Sequence, residues 1–240
     1  MIMGDICTRS CRFCSVSSGR PSALDTDEPR KVAEAVKQLG LRHVVITSVN
    51  RDDLEDEGAG HFVRAIEMVK AAVPGIVIEV LTPDFKTTQT RAVKKIIEAG
   101  PHIFNHNVET VPRLYPRVRS QAIYETSLSI FREIKKISIG TWTKSGLMLG
   151  MGERLEEVLR VIKDLKASGC EILTMGQYLQ SSGSGVPVER YVSPTEFLEL
   201  KHAALDIGFR WVESGPTVRS SYHAKNSFEG IKNLINNKGD

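Results

Sequence analysis

The chain has 240 residues, 41% of them hydrophobic and 25% charged, a composition that excludes disordered, collagen-like and disulfide-framework classes. Its 32 Lys+Arg against 29 Asp+Glu leave a net charge of only +3, which argues against nucleic acid as the main partner. No apolar run approaches the roughly 18 residues that span a bilayer, and no secretory leader opens the sequence, so a cytoplasmic protein is expected.

Short β-branched runs alternate with amphipathic helices along the whole chain. Met1 to Ile6 reads as a first strand. Asp27-Glu28-Pro29 opens a helix whose stripe is Val32, Val36 and Leu39 and whose stop is Gly40. His43–Thr47 is a buried-type strand, Phe62, Ile66 and Val69 mark a second helix, and Ile76–Leu81 is the next strand. A helix over Thr88 to Ala99, a strand over His102 to Val108 and a helix around Tyr124–Lys136 follow. Trp142 to Leu149 and Glu171 to Met175 are strands five and six, separated by a helix striped with Val158, Ile162 and Leu165. After the Ser- and Gly-rich loop 181–185, the capping box Ser193-Pro194-Thr195-Glu196 starts a helix with Phe197, Leu198 and Leu205 inward. Phe209 and Trp211 then form an apolar turn before an irregular C-terminal segment. Six strand–helix units without a composition break predict one α/β domain, a partial (β/α)6 barrel, with function at the C-terminal ends of its strands.

Three of the four cysteines, Cys7, Cys11 and Cys14, fall within eight residues in a C-x3-C-x2-C pattern, and Cys170 stands alone as a small buried residue. A disulfide within so short a stretch is strained, so the cluster reads as metal-binding. A structural zinc site wants four ligands in paired C-x2-C units, which three thiols without a nearby His do not supply. Three thiolates on a four-iron cluster leave one iron open to a ligand.

C-x3-C-x2-C on a six-fold βα scaffold resembles the radical S-adenosylmethionine (SAM) superfamily. Within it the chain is similar to the lipoyl synthase family. The similarity is carried by the runs Gly4–Arg9, Thr47–Leu54, Gly58–Phe62, Phe104–Tyr115, Lys144–Gly150, Gly176–Gln180 and Gly215–His223, the last holding Arg-Ser-Ser-Tyr-His. The resemblance implies a [4Fe–4S] cluster on Cys7, Cys11 and Cys14 that binds SAM and splits it to a 5′-deoxyadenosyl radical. The implied reaction inserts sulfur at two unactivated C–H positions of a protein-bound octanoyl chain. The implied partners are octanoylated lipoyl-carrier domains (2-oxoacid dehydrogenase E2 subunits and the glycine cleavage H protein) and an electron donor such as ferredoxin or flavodoxin.

The family's sulfur donor is a second, auxiliary [4Fe–4S] cluster on three cysteines of an N-terminal C-x4-C-x5-C segment, with a serine as fourth ligand. That serine corresponds to Ser221, whose other reading is a solvated turn residue. This sequence does not contain the C-x4-C-x5-C segment, so a single SAM-domain core over residues 1–240 and one cluster are expected. The resemblance places Thr47, Ser48, Asn107, Glu109, Gly150 and Gln177 around SAM. Glu109 can equally be a solvated or salt-bridged strand-end residue, and Gly150 an ordinary turn glycine. Arg113, Arg117 and Arg119 are either a solvated face or a dock for an acidic carrier. His43, His61 and His202 read as ordinary helix or strand-edge residues. Two further readings stand beside the enzyme. One is biotin synthase, disfavoured by the Arg-Ser-Ser-Tyr-His tail, and the other a non-catalytic or altered iron–sulfur protein.

Overall fold

The computed structural model describes residues 1–181, 183 and 185–219. The chain runs β1 (Ile6–Cys7), β2 (Ser17–Ser18), α1 (Glu28–Gln38), β3 (His43–Thr47), α2 (Ala59–Ala72), β4 (Val77–Leu81), α3 (Gln89–Glu98) and β5 (Ile103–Asn105). A 3-10 turn over Pro112–Leu114 leads into α4 (Tyr115–Val118) and α5 (Tyr124–Ile137). Then come β6 (Trp142–Leu149), α6 (Leu155–Ala167), β7 (Ile172–Gln177), α7 (Pro194–Ile207) and β8 (Trp211–Gly215).

Six strands, β3 to β8, form one parallel sheet in sequential order. Each helix packs on the next one along the chain, α1 on α2, α2 on α3, α3 on α5, α5 on α6 and α6 on α7. Sequential strands under sequential helices make a singly wound, open barrel, whereas a doubly wound sheet would reverse its strand order.

The number of strands agrees with the sequence, but two identities differ. The Met1–Ile6 strand is reduced to one bridge, Ile2 to Ser48, with the Ile2 amide donating to the Thr47 carbonyl at 2.7 Å. Met3 and Gly4 both take positive φ (69° and 89°), which turns the backbone out of an extended run. At the other end, Trp211–Gly215 is a full strand beside β7. Three residues expected inside are exposed: Leu39 at the end of α1, and Leu198 and Leu205 on α7, where Phe197, Leu200 and Ala204 are buried instead. The capping box on α7 forms as expected, with Ser193 Oγ accepting from the Glu196 amide at 3.2 Å.

The helix-facing side chains of the sheet form the main core, with Ile78, Val80, Phe104, Leu147, Leu173 and Met175 among them. Strand alternation sends their neighbours to the concave face. There Ile103, Trp142 and Ile172 form a second apolar cluster with Trp211 against it. Two residues further along, Asn105 and Lys144 both bond Glu79 on β4, at 2.9 and 2.8 Å. Two residues beyond these again the concave face opens into cavities.

Candidate functional site

The site lies at the C-terminal ends of the strands, as a parallel βα fold dictates. A cavity of about 250 Å³ is lined by Cys7, Cys11 and Cys14 together with the ends of β3 (Thr47, Ser48), β4 (Leu81 to Asp84) and β5 (His106, Asn107, Glu109). A second, of about 260 Å³, shares Phe13, Leu81, Asn107 and Glu109 with it and continues under β6 to β8 past Gly146, Leu147, Met148, Thr174, Gly176, Val218 and Arg219. The two form one cleft, with the thiols at one end and Leu147, Met148 and Val218 at the other.

The thiols are held by a short loop with no partner ladder beyond β1 and β2. Cys7 Sγ accepts from the Asn50 and Arg9 amides at 3.3 and 3.4 Å, and Cys14 Sγ accepts from the Val16 amide at 3.4 Å. The Cys14 amide closes a turn on the Cys11 carbonyl at 3.0 Å. All three cysteines are free thiols. Burial pushes the Cys11 thiol up to about 11 and raises Cys14 as well, while the nearby Arg119 charge pulls Cys11 the other way. A metal must therefore displace protons from thiols that burial disfavours as thiolates. Among the described residues no three His, Cys, Asp or Glu side chains draw close enough to share one metal ion. A single zinc needs its sulfurs all about 2.3 Å from one point. Thiols spread around a cavity, two of them facing N–H donors, suit a polynuclear cluster with one ligand per iron.

The walls of the same cavity carry buried polar atoms without partners: Ser48 Oγ, Asn107 Oδ1 and Arg119 Nε. Buried polar atoms are nearly always bonded, so these three mark where a polar ligand belongs. Arg119 is 7% exposed, donates through Nη1 to the Asn107 carbonyl at 2.9 Å and lies over the Tyr115 ring at 5.2 Å. Glu109 has φ +65°, and its carboxyl is raised by burial, against the pull of Arg119 and a hydrogen bond from Asn107. His106 donates from Nδ1 to the Thr82 carbonyl at 2.9 Å, because a carbonyl only accepts, so Nε2 accepts from Ser127 at 3.0 Å. Complete burial then lowers this imidazole to about 4 and keeps it neutral.

Four of the six expected SAM residues, Thr47, Ser48, Asn107 and Glu109, meet at the first cavity. Gln177 and Gly150 line neither cavity. The Gln177 amide is spent on the backbone, donating to Tyr178 and Arg190 carbonyls and accepting from the Val192 amide. Gly150 bonds Glu153 and the 189–190 segment, and a Cβ there would stand 2.5 Å from the Arg190 carbonyl oxygen. Arg119 is a cavity residue rather than part of a solvated face. Arg113 and Arg117 are exposed but paired with Glu157 and Glu189. His61 is buried against Glu28 at 2.6 Å, and His202 is exposed. Ser221 lies outside the described residues. Sequence reasoning missed Arg9, Asp84, His106 and Arg119, although Arg9 sits inside the C-x3-C pattern itself.

A model of the radical SAM superfamily matches residues 1–175. A lipoyl synthase of Rubrobacter xylanophilus is 54% identical over 232 residues, covering 97% of this chain and 72% of that protein. The chain belongs to the lipoyl synthase family. A second family member, from Caldanaerobacter subterraneus subsp. tengcongensis, is 52% identical over 224 residues, or 93% of this chain and 78% of that lipoyl synthase. Among solved structures the FeFe-hydrogenase maturase HydG of Carboxydothermus hydrogenoformans superposes with a TM-score of 0.73 at 16% identity. It covers 96% of this chain and 55% of that one, a likeness in fold alone. Radical SAM enzymes use a [4Fe–4S] cluster and SAM. Three free thiols, Cys7 and Cys14 with N–H donors behind them, and unbonded Ser48, Asn107 and Arg119 atoms in the same cavity, are a donor set that fits both groups.

Proposed function

We propose that this chain carries out the radical part of lipoyl formation, the SAM-dependent activation of a protein-bound octanoyl chain for sulfur insertion. The observation that carries this reading is the single cleft, with three thiols and unbonded polar atoms at one end and Leu147, Met148 and Val218 at the other. When bound, the cluster and SAM supply an electron and a carbon radical able to take hydrogen from an unactivated carbon, which no side-chain base can do.

The chain's own residues bind and orient. Cys7, Cys11 and Cys14 hold the cluster. Ser48, Asn107 and Glu109 take the polar groups of SAM, with Thr47 at the rim. Neutral His106 fixes the β5 end from behind, so that Asn107 and Glu109 face the cavity. Phe13, Leu81, Leu147, Met148 and Val218 give the octanoyl chain a dry lane and keep water from a reactive carbon. The substrates are octanoylated lipoyl-carrier domains, the E2 subunits of 2-oxoacid dehydrogenases and the glycine cleavage H protein, with ferredoxin or flavodoxin as electron donor and the cytoplasm as the compartment.

The sulfur-donating cluster is a separate matter. The sequence holds four cysteines, three of them in the loop just described. Cys170 is fully buried under α6, where burial lifts its thiol far above the ordinary range. Beyond the loop cysteines this sequence holds only Cys170, and its residues do not fit an auxiliary cluster. Anaerobic reconstitution of this chain should therefore give about four irons, the content of one cluster. With an octanoylated carrier it should form 5′-deoxyadenosine but no lipoyl product. About eight irons, or lipoyl product from this chain by itself, would refute the assignment of one cluster. Absence of 5′-deoxyadenosine would refute the radical reading.

A further inference from the structure

The loop that presents the thiols has almost no regular structure, so other bonds must give it shape. One side chain supplies three of them. Arg9 lies between Cys7 and Cys11 in sequence, lines the cavity and is buried, with 5% exposure. Its Nε and Nη2 donate to Asp52 Oδ2 and Oδ1 at 2.9 and 2.7 Å. Its Nη1 donates to Asp84 Oδ2 at 2.8 Å, and Nη2 stands 2.6 Å from Asp84 Oδ1. Asp52 follows β3 and Asp84 follows β4, so one planar fork joins the loop to the ends of two strands.

Neighbouring bonds run the same way. Thr8 Oγ1 donates to Asp52 Oδ2 at 2.8 Å, and the Thr8 amide donates to the Asn50 carbonyl at 3.1 Å. The next residue, Ser10, donates its amide to Gln121 Oε1 at 2.8 Å, and Arg12 donates its own to the Val118 carbonyl at 2.8 Å. These outer contacts lie on the surface or use one bond each. The Arg9 contact is bidentate to the half-exposed Asp52 carboxylate and doubled on the buried Asp84, a geometry that a lysine cannot reproduce. Burying one cation between two carboxylates is costly, and better-packed apolar residues would often give equal stability. The arrangement makes sense as direction rather than as stability.

We propose that Arg9 is a positioning residue, seated on Asp52 and Asp84, that holds Cys7 and Cys11 in their ligating arrangement before iron arrives, so that the site is preformed. The inference rests on the assignment of Cys7, Cys11 and Cys14 as cluster ligands. It predicts a cluster whose lifetime depends on the shape of the Arg9 side chain and not only on its charge.

The test reconstitutes full-length wild type, Arg9→Lys, Arg9→Gln and Asp52→Asn and follows loss of the cluster's visible absorbance to an iron chelator. The EPR spectrum of each reduced protein is recorded alongside. Arg9→Lys keeps the charge and should lose its cluster roughly 10-fold or more faster than wild type, the usual scale for groups that orient a metal ligand. It should also show a changed EPR line shape at an unchanged thermal midpoint. Asp52→Asn leaves the Asp84 pair intact and should fall between the two, which keeps the test decisive if Arg9→Gln fails to fold. Wild-type cluster lifetime and EPR line shape in both Arg9→Lys and Asp52→Asn would overturn the inference. A wild type that binds no iron would overturn the ligand assignment instead.

Discussion

The two ends of the cleft are made in opposite ways. At the β3–β5 end the walls are side chains fixed by named bonds: Arg9 on two aspartates, Arg119 on a backbone carbonyl and a ring, His106 between the Thr82 carbonyl and the Ser127 hydroxyl. At the β6–β8 end the walls exist because side chains are missing. A Cβ on Gly146 would stand 2.7 Å from Asn107 Oδ1, and one on Gly176 would stand 2.0 Å from the Val218 carbonyl oxygen. The first end recognises by placing donors and acceptors, and the second by leaving room. Substitutions should therefore act on binding chemistry at one end and on volume at the other.

The largest effect belongs to the thiols. Cys11→Ala should abolish both stable cluster formation and SAM cleavage, because one iron loses its only protein ligand. Iron content and 5′-deoxyadenosine yield check this together, and wild-type yield from Cys11→Ala would break the contrast at its root.

A middle-sized effect tests the boundary between the two ends. Asn107→Ala and Glu109→Ala should keep the cluster's absorbance but weaken SAM binding by about 10-fold each, or about 1.4 kcal/mol. Gly146→Ala should produce a similar loss by a different route, since the added methyl must push Asn107 out of place. Titration of SAM into the reconstituted proteins measures all three. Unchanged affinity in Asn107→Ala and Glu109→Ala would return both residues to a structural role.

A last effect, read on stability rather than on binding, concerns His106 and pH. Its folded value of about 4 lies below the ordinary 6.5, so the unfolded chain binds a proton first as pH falls. The stability that this neutral ring supports is complete above about pH 6.5 and declines toward about pH 4, by at most about 3 kcal/mol. Thermal midpoints of wild type and His106→Gln, compared at pH 7 and pH 4.5, should differ in slope, with the flatter profile in the variant. Parallel slopes would contradict the assigned neutral state.

These residues also show what a sequence yields by itself. Cys7, Cys11 and Cys14 were legible because their chemistry is written in spacing along one short loop. Asn107 and Glu109 were legible because a strand end in a parallel fold points at the site. Arg9 was hidden because its two partners lie 43 and 75 residues away, a pairing that no periodicity announces. Arg119 was misread for a related reason: among Arg113, Arg117 and Arg119 only the fold decides which one turns inward. Strand β8 was missed because Trp211-Val212-Glu213-Ser214-Gly215 faces the concave side with an indole, a carboxylate and a glycine, so it lacks an apolar run. The false first strand had the opposite fault, apolar residues with a left-handed turn in their midst.

One backbone feature reaches further than its size. Glu109 has a positive φ and is not a glycine, a conformation that costs an ordinary residue roughly 1–2 kcal/mol. The β6 strand holds it there, with the Glu109 amide donating to the Gly146 carbonyl at 3.0 Å and the Met148 amide donating to the Glu109 carbonyl at 2.8 Å. Glycine at this position would relax the backbone and remove the carboxylate at the same stroke. Selection for a sturdier fold and selection for a carboxyl on the cavity wall thus pull in opposite directions at a single codon. A screen for thermostability alone would drift toward the change that strips that wall of its acid.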